Sequence, residues 1–393
     1  MSKIEDLIAE FCPNGVTYKP LAELGKFYGG LTGKSKDDFS DGNATFITYR
    51  NVYSNPALDI NPDDTVKIAE GEKQRTLEYG DVVFTGSSET PDECGFSSVV
   101  TKKPEKSLYL NSFCFFFRFN NLSIIEPDFA KHLFRSSNLR YQIGKTANGV
   151  TRFNVSKKLM GKVVIPLPPL PVQEEIVRIL DNFTELTAEL TAELTAELTA
   201  RKIQYEYYRN HLLIGNDVPQ MTLKDVCNNI FSGKNKKRLD SGEYPVYGST
   251  GIISTTDTPI YDQEQILIAR VGANAGYVHI ASGEYDVSDN TLIVDLKSCV
   301  LLKYIYYQLS NMNLHQYAKG GGQPLVTAGQ LKEILIPVPT LEAQAKIIEI
   351  LDRFYSLCNS ISDGLPAEID ARQKQYEYYR DKLLSFDNVG VPS

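Results

Sequence analysis

Residues Tyr28 to Ser35, YGGLTGKS, finish in the Gly-Lys-Ser that closes a phosphate-cradling loop, so nucleotide chemistry is the first possibility the chain raises. Register excludes it. The pattern needs glycine, four residues, then Gly-Lys-Ser, and the position required to be glycine is Tyr28. Glycine-rich ARVGANAGY, 269 to 277, has no Gly-x-Gly start and no strand-helix-strand unit around it, and reads as a strained turn. Pro62-Asp63 resembles the opening of a nuclease site, yet no carboxylate-x-Lys follows. His132, His211, His279 and His315 lack metal-ligand spacing, and no Gly-x-Ser-x-Gly elbow occurs. An amino-methyltransferase tetrapeptide, Asn/Asp-Pro-Pro-aromatic, is also missing. The expectation is a chain with no catalytic, metal or cofactor-binding residues of its own.

Composition narrows the class. A length of 393 residues allows two or three domains. No apolar run reaches the roughly 18 residues of a membrane span, and MSKIEDLIAEF lacks a secretory core, which predicts a cytoplasmic protein. Cys12, Cys94, Cys114, Cys227, Cys299 and Cys358 are scattered singly, as reduced and mostly buried thiols would be. The net charge of −8 at first argues against a nucleic-acid partner.

Two phrases return at one offset. Ile165-Pro166-Leu167-Pro168 overlies Ile336-Pro337-Val338-Pro339, and QYEYYR at 204 to 209 overlies 375 to 380, both 171 residues apart. Upstream, GKSK from Gly33 resembles GKNKK from Gly233, and GDVVFTGSS from Gly80 resembles EQILIARVG from Glu264. The order is globule, helix, globule, helix. After each proline bridge a heptad seam appears: Ile176, Leu180, Phe183, Thr187, Leu190 and Leu194, then Ile347, Leu351, Phe354, Cys358, Ile361 and Leu365. Two seams in one chain predict an antiparallel pair. The second helix should break at SDGLPAEI, with Gly364 ending one segment and Pro366 opening the next. Three tandem TAEL repeats, 187 to 198, extend the first helix by about 6 Å each, as a spacer would.

Short β-branched and aromatic runs fill both globules: ATFITYR, DVVFTG and LYLNSFCFFFRF, then YPVYG, QILIAR and NTLIVDL. Helical periodicity follows at PDFAKHLFRSSNLRYQI and CVLLKYIYYQLSNMNLHQYA. The fold class is α+β, with two strand-rich domains and two long helices in a pseudo-twofold internal repeat. Boundaries fall at 1–165, 166–213, 214–336 and 337–393.

Paired variable globules, each followed by Ile-Pro-x-Pro and a helix ending QYEYYR, with TAEL repeats in the first helix, closely resemble the specificity subunit of type I restriction-modification systems. The resemblance implies two target-recognition domains, each reading half of a bipartite double-stranded DNA site. It also implies an antiparallel coiled coil that spaces them and docks two modification (methyltransferase) subunits. Those partners would carry S-adenosylmethionine and methylate adenine N6; restriction subunits would cut DNA using ATP and Mg. This chain would supply recognition without an active site. Its acidity resolves in part: residues 172 to 213 carry −4 and 341 to 384 carry −2, leaving −2 of the −8 for everything else.

Base edges are read by Arg, Lys, Asn and Gln, and phosphates by Lys, Ser, Thr and backbone amides. The DNA-binding candidates in the first globule are therefore Lys34, Lys36, Arg50, Ser87, Asn148, Arg152 and Asn154. In the second they are Lys234, Lys236, Lys237, Arg238, Ser249, Arg270, Asn274, Lys319 and Gln323, with Arg152 over Gln323 at the 171 offset. Tyr49, Phe153 and Tyr247 are candidates to pack on sugars. The rival reading is a non-catalytic scaffold whose globules bind protein; basic, glycine-rich loops at matching places favour DNA. Deletion of Thr191 to Leu194 is expected to shorten the unread spacer by one to two base pairs, since about 6 Å compares with a rise of about 3.4 Å. Mapping methylated sites for the deletion tests this, and an unchanged spacer would make the run ornamental.

Overall fold

A computed structural model describes residues 3–215, 218–236, 239, 241–320, 324–360 and 364–387. Contacts divide the chain into two units, 1–192 with 370–393, and 193–369. The division cuts both helical arms, so each unit combines one globule with parts of two arms. Among the described residues no helix is long and apolar enough to cross a membrane.

The first globule is assembled from four sheets, one of them at the loop corner described below. Thr17–Pro20 pairs antiparallel with Val164–Leu167, Lys19 facing Ile165. An antiparallel four-stranded sheet runs Gly25–Gly29, Cys114–Phe119, Val82–Thr85, Ser97–Val99. The third, Thr65–Val66, Ala44–Ile47, Leu108–Leu110, joins its last two strands in parallel. The second globule repeats this plan: Gln220–Thr222 with Leu335–Pro337; Cys227–Ser232, Thr291–Leu296, Gln265–Ala269, Val278–Ala281; and Gly251–Thr256, Tyr244–Gly248, Asp286–Val287, again ending in a parallel pair. Internal repetition thus reaches well beyond the phrases that share sequence.

Two sequence expectations are refined, and the break expected at SDGLPAEI is present. ATFITYR is not one strand: Thr48 leaves the sheet at Ile47 and caps a helix, Tyr49–Ser54, by accepting from the Asn51 amide. Gly233 corresponds to Gly30, not Gly33. A Cβ on either would strike carbonyls of the parallel neighbour strand, Leu110 and Asn111 in one globule, Val287 and Ser288 in the other. The basic run GKSK therefore lies three residues further along its loop than GKNKK. The QYEYYR arms also differ, because the central helix is continuous over Leu170–Ile214, whereas the later arm forms Leu341–Asn359 and Leu365–Leu383. Pro366 stands in the first turn of the last segment, where its missing amide costs nothing.

Each arm starts at a buried glutamine. Gln173, fully buried, donates to the Pro168 and Ile124 carbonyls at 2.6 and 2.9 Å and accepts from the Glu126 amide at 2.9 Å. Gln344, 171 residues later, donates to Pro339 and Cys299 carbonyls and accepts from the Leu301 amide. About two helical turns beyond, Asp181 takes Lys131 and His132 at 2.8 and 2.7 Å, while its counterpart Asp352 takes Lys303 and Tyr307. Burial pushes the Asp181 carboxyl up, but His132 and Lys131 outweigh it and hold it at about 2.

The seams are used in two ways. Ile176 and Leu180 belong to the first globule's core, against Phe129 and Leu133, while Thr187, Leu190 and Leu194 are half-buried along the helix. In the first unit Phe183 stacks on Tyr379 at 5.6 Å and Thr184 bonds Tyr376, so partner numbers fall as helix numbers rise: the segments are antiparallel. In the second unit the repeat equivalents exchange roles, Tyr208 stacking on Phe354 at 5.6 Å. Ile361 lies outside the described residues. Gln173→Ala strands two carbonyls and one amide away from water, and is expected to cost about 2–4 kcal/mol. A urea-denaturation midpoint that does not fall would exclude the latch.

Candidate nucleic-acid interface

The central strand of each four-stranded sheet leads directly into the candidate loops. In the first globule Val82–Thr85 continues to Ser87–Ser88, which joins Phe153–Val155 and Ala147–Asn148 in a small three-stranded corner. Register places Asn148 opposite Asn154, and Asn154 opposite Ser87. Three candidates from two separate stretches of sequence thus form one row. Arg152 donates to Ser87 Oγ at 3.3 Å from the connecting loop, and Tyr49 OH donates to the Ser87 carbonyl at 2.8 Å. An open cleft of about 940 Å³ is walled by Arg50, Ser87, Arg152, Tyr53, Glu93 and Phe113 among others. Arg50 and Arg152 are exposed, Ser87 is buried.

The second globule builds the same corner from single bridges. Val271, next after Arg270, pairs with Leu325, which pairs with Lys319. Lys319 and Leu325 stand 171 residues after Asn148 and Asn154, so the row is equivalent. Gly272 and Gly276, with φ of 83 and 91, shape the left-handed turn that carries Asn274 outward. Arg270 donates to Ser232 Oγ at 3.2 Å and to the Asp289 carbonyl, which ties the corner to the strand preceding Lys234. Lys234 and Lys236 are exposed; Lys236 also lines a small polar cavity of about 220 Å³ with Asn235, Ser254 and Asp289. Ser249 sits at the hairpin tip between Gly248 and Gly251. Lys237, Arg238 and Gln323 lie outside the described residues.

Not every candidate is free to meet a ligand. Lys34 Nζ lies 2.6 Å from Glu72 and 2.6 Å from the Lys67 carbonyl, with its side chain 8% exposed. Bonds from Lys34, then Gln74 and the Ala69 amide, hold Glu72 at about 2. Lys34 is therefore a strut between two loops, whereas exposed Lys36 opens a short helical turn, Lys36–Phe39. Neither lysine lines the cleft. Tyr49 is anchored through its hydroxyl, and Tyr247 packs on Tyr285 and His279. Sequence reasoning missed Tyr53 and Glu93 in the cleft wall, and the half-buried Arg135 and Arg140 beside Phe96. Charge type alone gave no signal for these. Among the described residues no group of His, Cys, Asp or Glu is placed to hold a metal ion.

Two globules of one topology thus each present a matching loop corner beside a central strand. The profile of the type I restriction modification DNA specificity domain matches residues 13–200 and 216–371, and the chain belongs to that family. It is 37% identical over 219 residues to the EcoprrI specificity subunit of Escherichia coli, covering 51% of this chain and 55% of that one. A putative specificity subunit of Haemophilus influenzae is 39% identical over 267 residues, 61% of this chain and 68% of its own. The first of these matches thus spans little more than half of its relative. Among solved structures, a chain from work on complex assembly and conformational transition of the type I R-M system aligns over 95% of this chain and 98% of its own. Its TM-score is 0.71 at 17% identity. The HsdS subunit of Thermoanaerobacter tengcongensis aligns over 95% and 96%, with TM-score 0.59 and 17% identity. These structural matches share the fold.

Arg50→Ala and Arg152→Ala are each expected to weaken duplex binding and to lower the salt slope by about one. Lys34→Ala should leave that slope unchanged and lower the melting temperature instead. A salt titration of duplex affinity separates them; equal slopes in all three variants would remove the arginines from the interface.

Proposed function

We propose that this chain is the sequence-specific DNA-binding specificity subunit of a type I restriction-modification complex. Each globule reads one half of a bipartite duplex site. The helical arms set the unread spacer and dock two modification subunits. Those subunits bring S-adenosylmethionine and methylate adenine N6. Restriction subunits, in complexes that include them, bring ATP and Mg and cut the DNA. The chain itself contributes the address, acting in the cytoplasm.

The equivalent corner in both globules carries this reading. Asn148, Asn154 and Ser87 in one row, and Lys319, Leu325 and Val271 in the other, occupy the same topological place with different side chains. One scaffold with divergent side chains is what two independent half-site readers require, because amide, ammonium and guanidinium groups set on and beside it recognise bases and phosphates while the strands beneath keep them in position. A split site also demands that the separation of its readers be fixed by something stiff, as half-site spacing mirrors geometry in dimeric DNA-binding proteins. The continuous helix Leu170–Ile214 suits that task. Nothing in the corners favours a protein-binding scaffold over DNA.

Replacing residues 216 to 333 with the same region of another family member is expected to change one half of the methylated site and spare the other. Sequencing of methylated adenines reads the outcome directly. Altered preference in both halves would contradict independent readers.

A further inference from the structure

We propose that Glu93 is a specificity-determining residue of the first globule, its carboxylate accepting a hydrogen bond from the exocyclic amino group of a base, cytosine N4 or adenine N6, in the major groove. The inference rests on the DNA-reading function proposed above. Glu93 lines the same cleft as Arg50, Ser87 and Arg152. Its carboxylate is held by hydroxyls alone: Ser88 Oγ and Thr90 Oγ1 donate to Oε2, both at 3.1 Å, and Tyr53 OH donates to Oε1 at 3.2 Å. Ser88, Thr90 and Tyr53 hold the carboxyl below its usual range, so it is an anion at neutral pH. An ionised carboxylate offers about four acceptor positions. Three are taken, and the open one is on Oε1.

The surrounding chain is fixed. Arg140 donates to the carbonyls of Asp92 and Cys94, the residues on either side of Glu93, at 2.7 Å each. The Tyr53 ring packs on Phe96 at 4.8 Å, and Phe96 is flanked by the Arg135 and Arg140 guanidinium groups at 4.8 and 4.3 Å. The carboxylate is thus preorganised on both its backbone and its hydroxyl side.

A rigid anion facing a duplex is repelled by phosphate and finds donors only on bases. In the major groove these are the amino groups of cytosine and adenine, and glutamate characteristically accepts from cytosine N4. Thymine O4 and guanine O6 would set acceptor against acceptor. Glu93 therefore rejects keto bases at one position, while Arg50 and Arg152 draw in the backbone around it.

The test uses the full chain assembled with its modification subunits and duplexes randomised over the first half-site. In Glu93→Ala, discrimination between amino-bearing and keto-bearing bases should fall about tenfold or more at one position. The remaining positions, the second half-site and the salt slope should be unchanged. Glu93→Gln keeps the shape, so it serves if the alanine variant misfolds; its amide should shift the preference at that position toward adenine N6 and N7. The base preferred by the unaltered chain tells cytosine from adenine. Uniform weakening in both variants with base preference intact would make Glu93 a loop staple and overturn the proposal. An unaltered chain that shows no preference among duplexes would instead sink the DNA-reading function itself.

Discussion

The placement of each helix on its globule depends on one buried amide. Gln173 and Gln344 each answer the carbonyl of the second proline of the Ile-Pro-x-Pro phrase, a carbonyl near the end of the preceding loop, and an amide two residues beyond it. A glutamine has both donors and an acceptor on one planar group, so it can satisfy all three at once where no water reaches. Neither an apolar residue nor a carboxylate of similar size could do this. The bridge prolines cannot donate from their own nitrogens, which leaves carbonyls in want of a partner at the point where chain direction changes. The latch therefore converts a flexible-looking Pro-rich joint into a fixed angle, and Asp181 and Asp352 repeat the anchorage further along each arm.

Repetition of these contacts at a single offset explains why the two units have the same internal logic. Helix equivalents exchange partners: Phe183 with Tyr379 in one unit, Tyr208 with Phe354 in the other, where 183 and 354, and 208 and 379, are 171 apart. Each unit is thus completed by helix from the opposite repeat. A substitution in QYEYYR acts on the unit whose globule does not immediately precede it in sequence.

Helices, proline bridges, the break before Pro366 and the α+β character were legible because each follows from local rules: heptad spacing, missing amides and β-branched runs. The loop corner was legible only in pieces. Asn148, Arg152 and Asn154 were adjacent enough to be read as one loop, but their union with Ser87 depends on a strand register some sixty residues away in sequence. The latch itself was invisible, since a glutamine near a helix start carries no signal apart from the carbonyls that fold around it. Matching GKSK to GKNKK misled by three residues for a related reason: letters were compared where the close approach of a neighbouring strand, at Gly30 and Gly233, decides equivalence.

Charge shows the same limit most clearly. A near-neutral globule would be dismissed as a DNA reader by its sum, yet the sum counts charges already engaged. Arg118 is engaged by Asp81 and Glu78, and Lys34 by Glu72. Arg135 and Arg140 spend their donors on backbone carbonyls, and burial lowers both to about 10 without removing the charge at neutral pH. Among the candidates, Arg50 and Arg152 stay exposed around one cleft, Lys36 on a neighbouring loop, and Lys234, Lys236 and Lys319 on the second globule. Charge that the fold has left unanswered becomes visible only once the engaged cations have been assigned their partners. The net charge of −8 is therefore compatible with exposed cations at both corners, since residues 172 to 213 and 341 to 384 account for −4 and −2 of it.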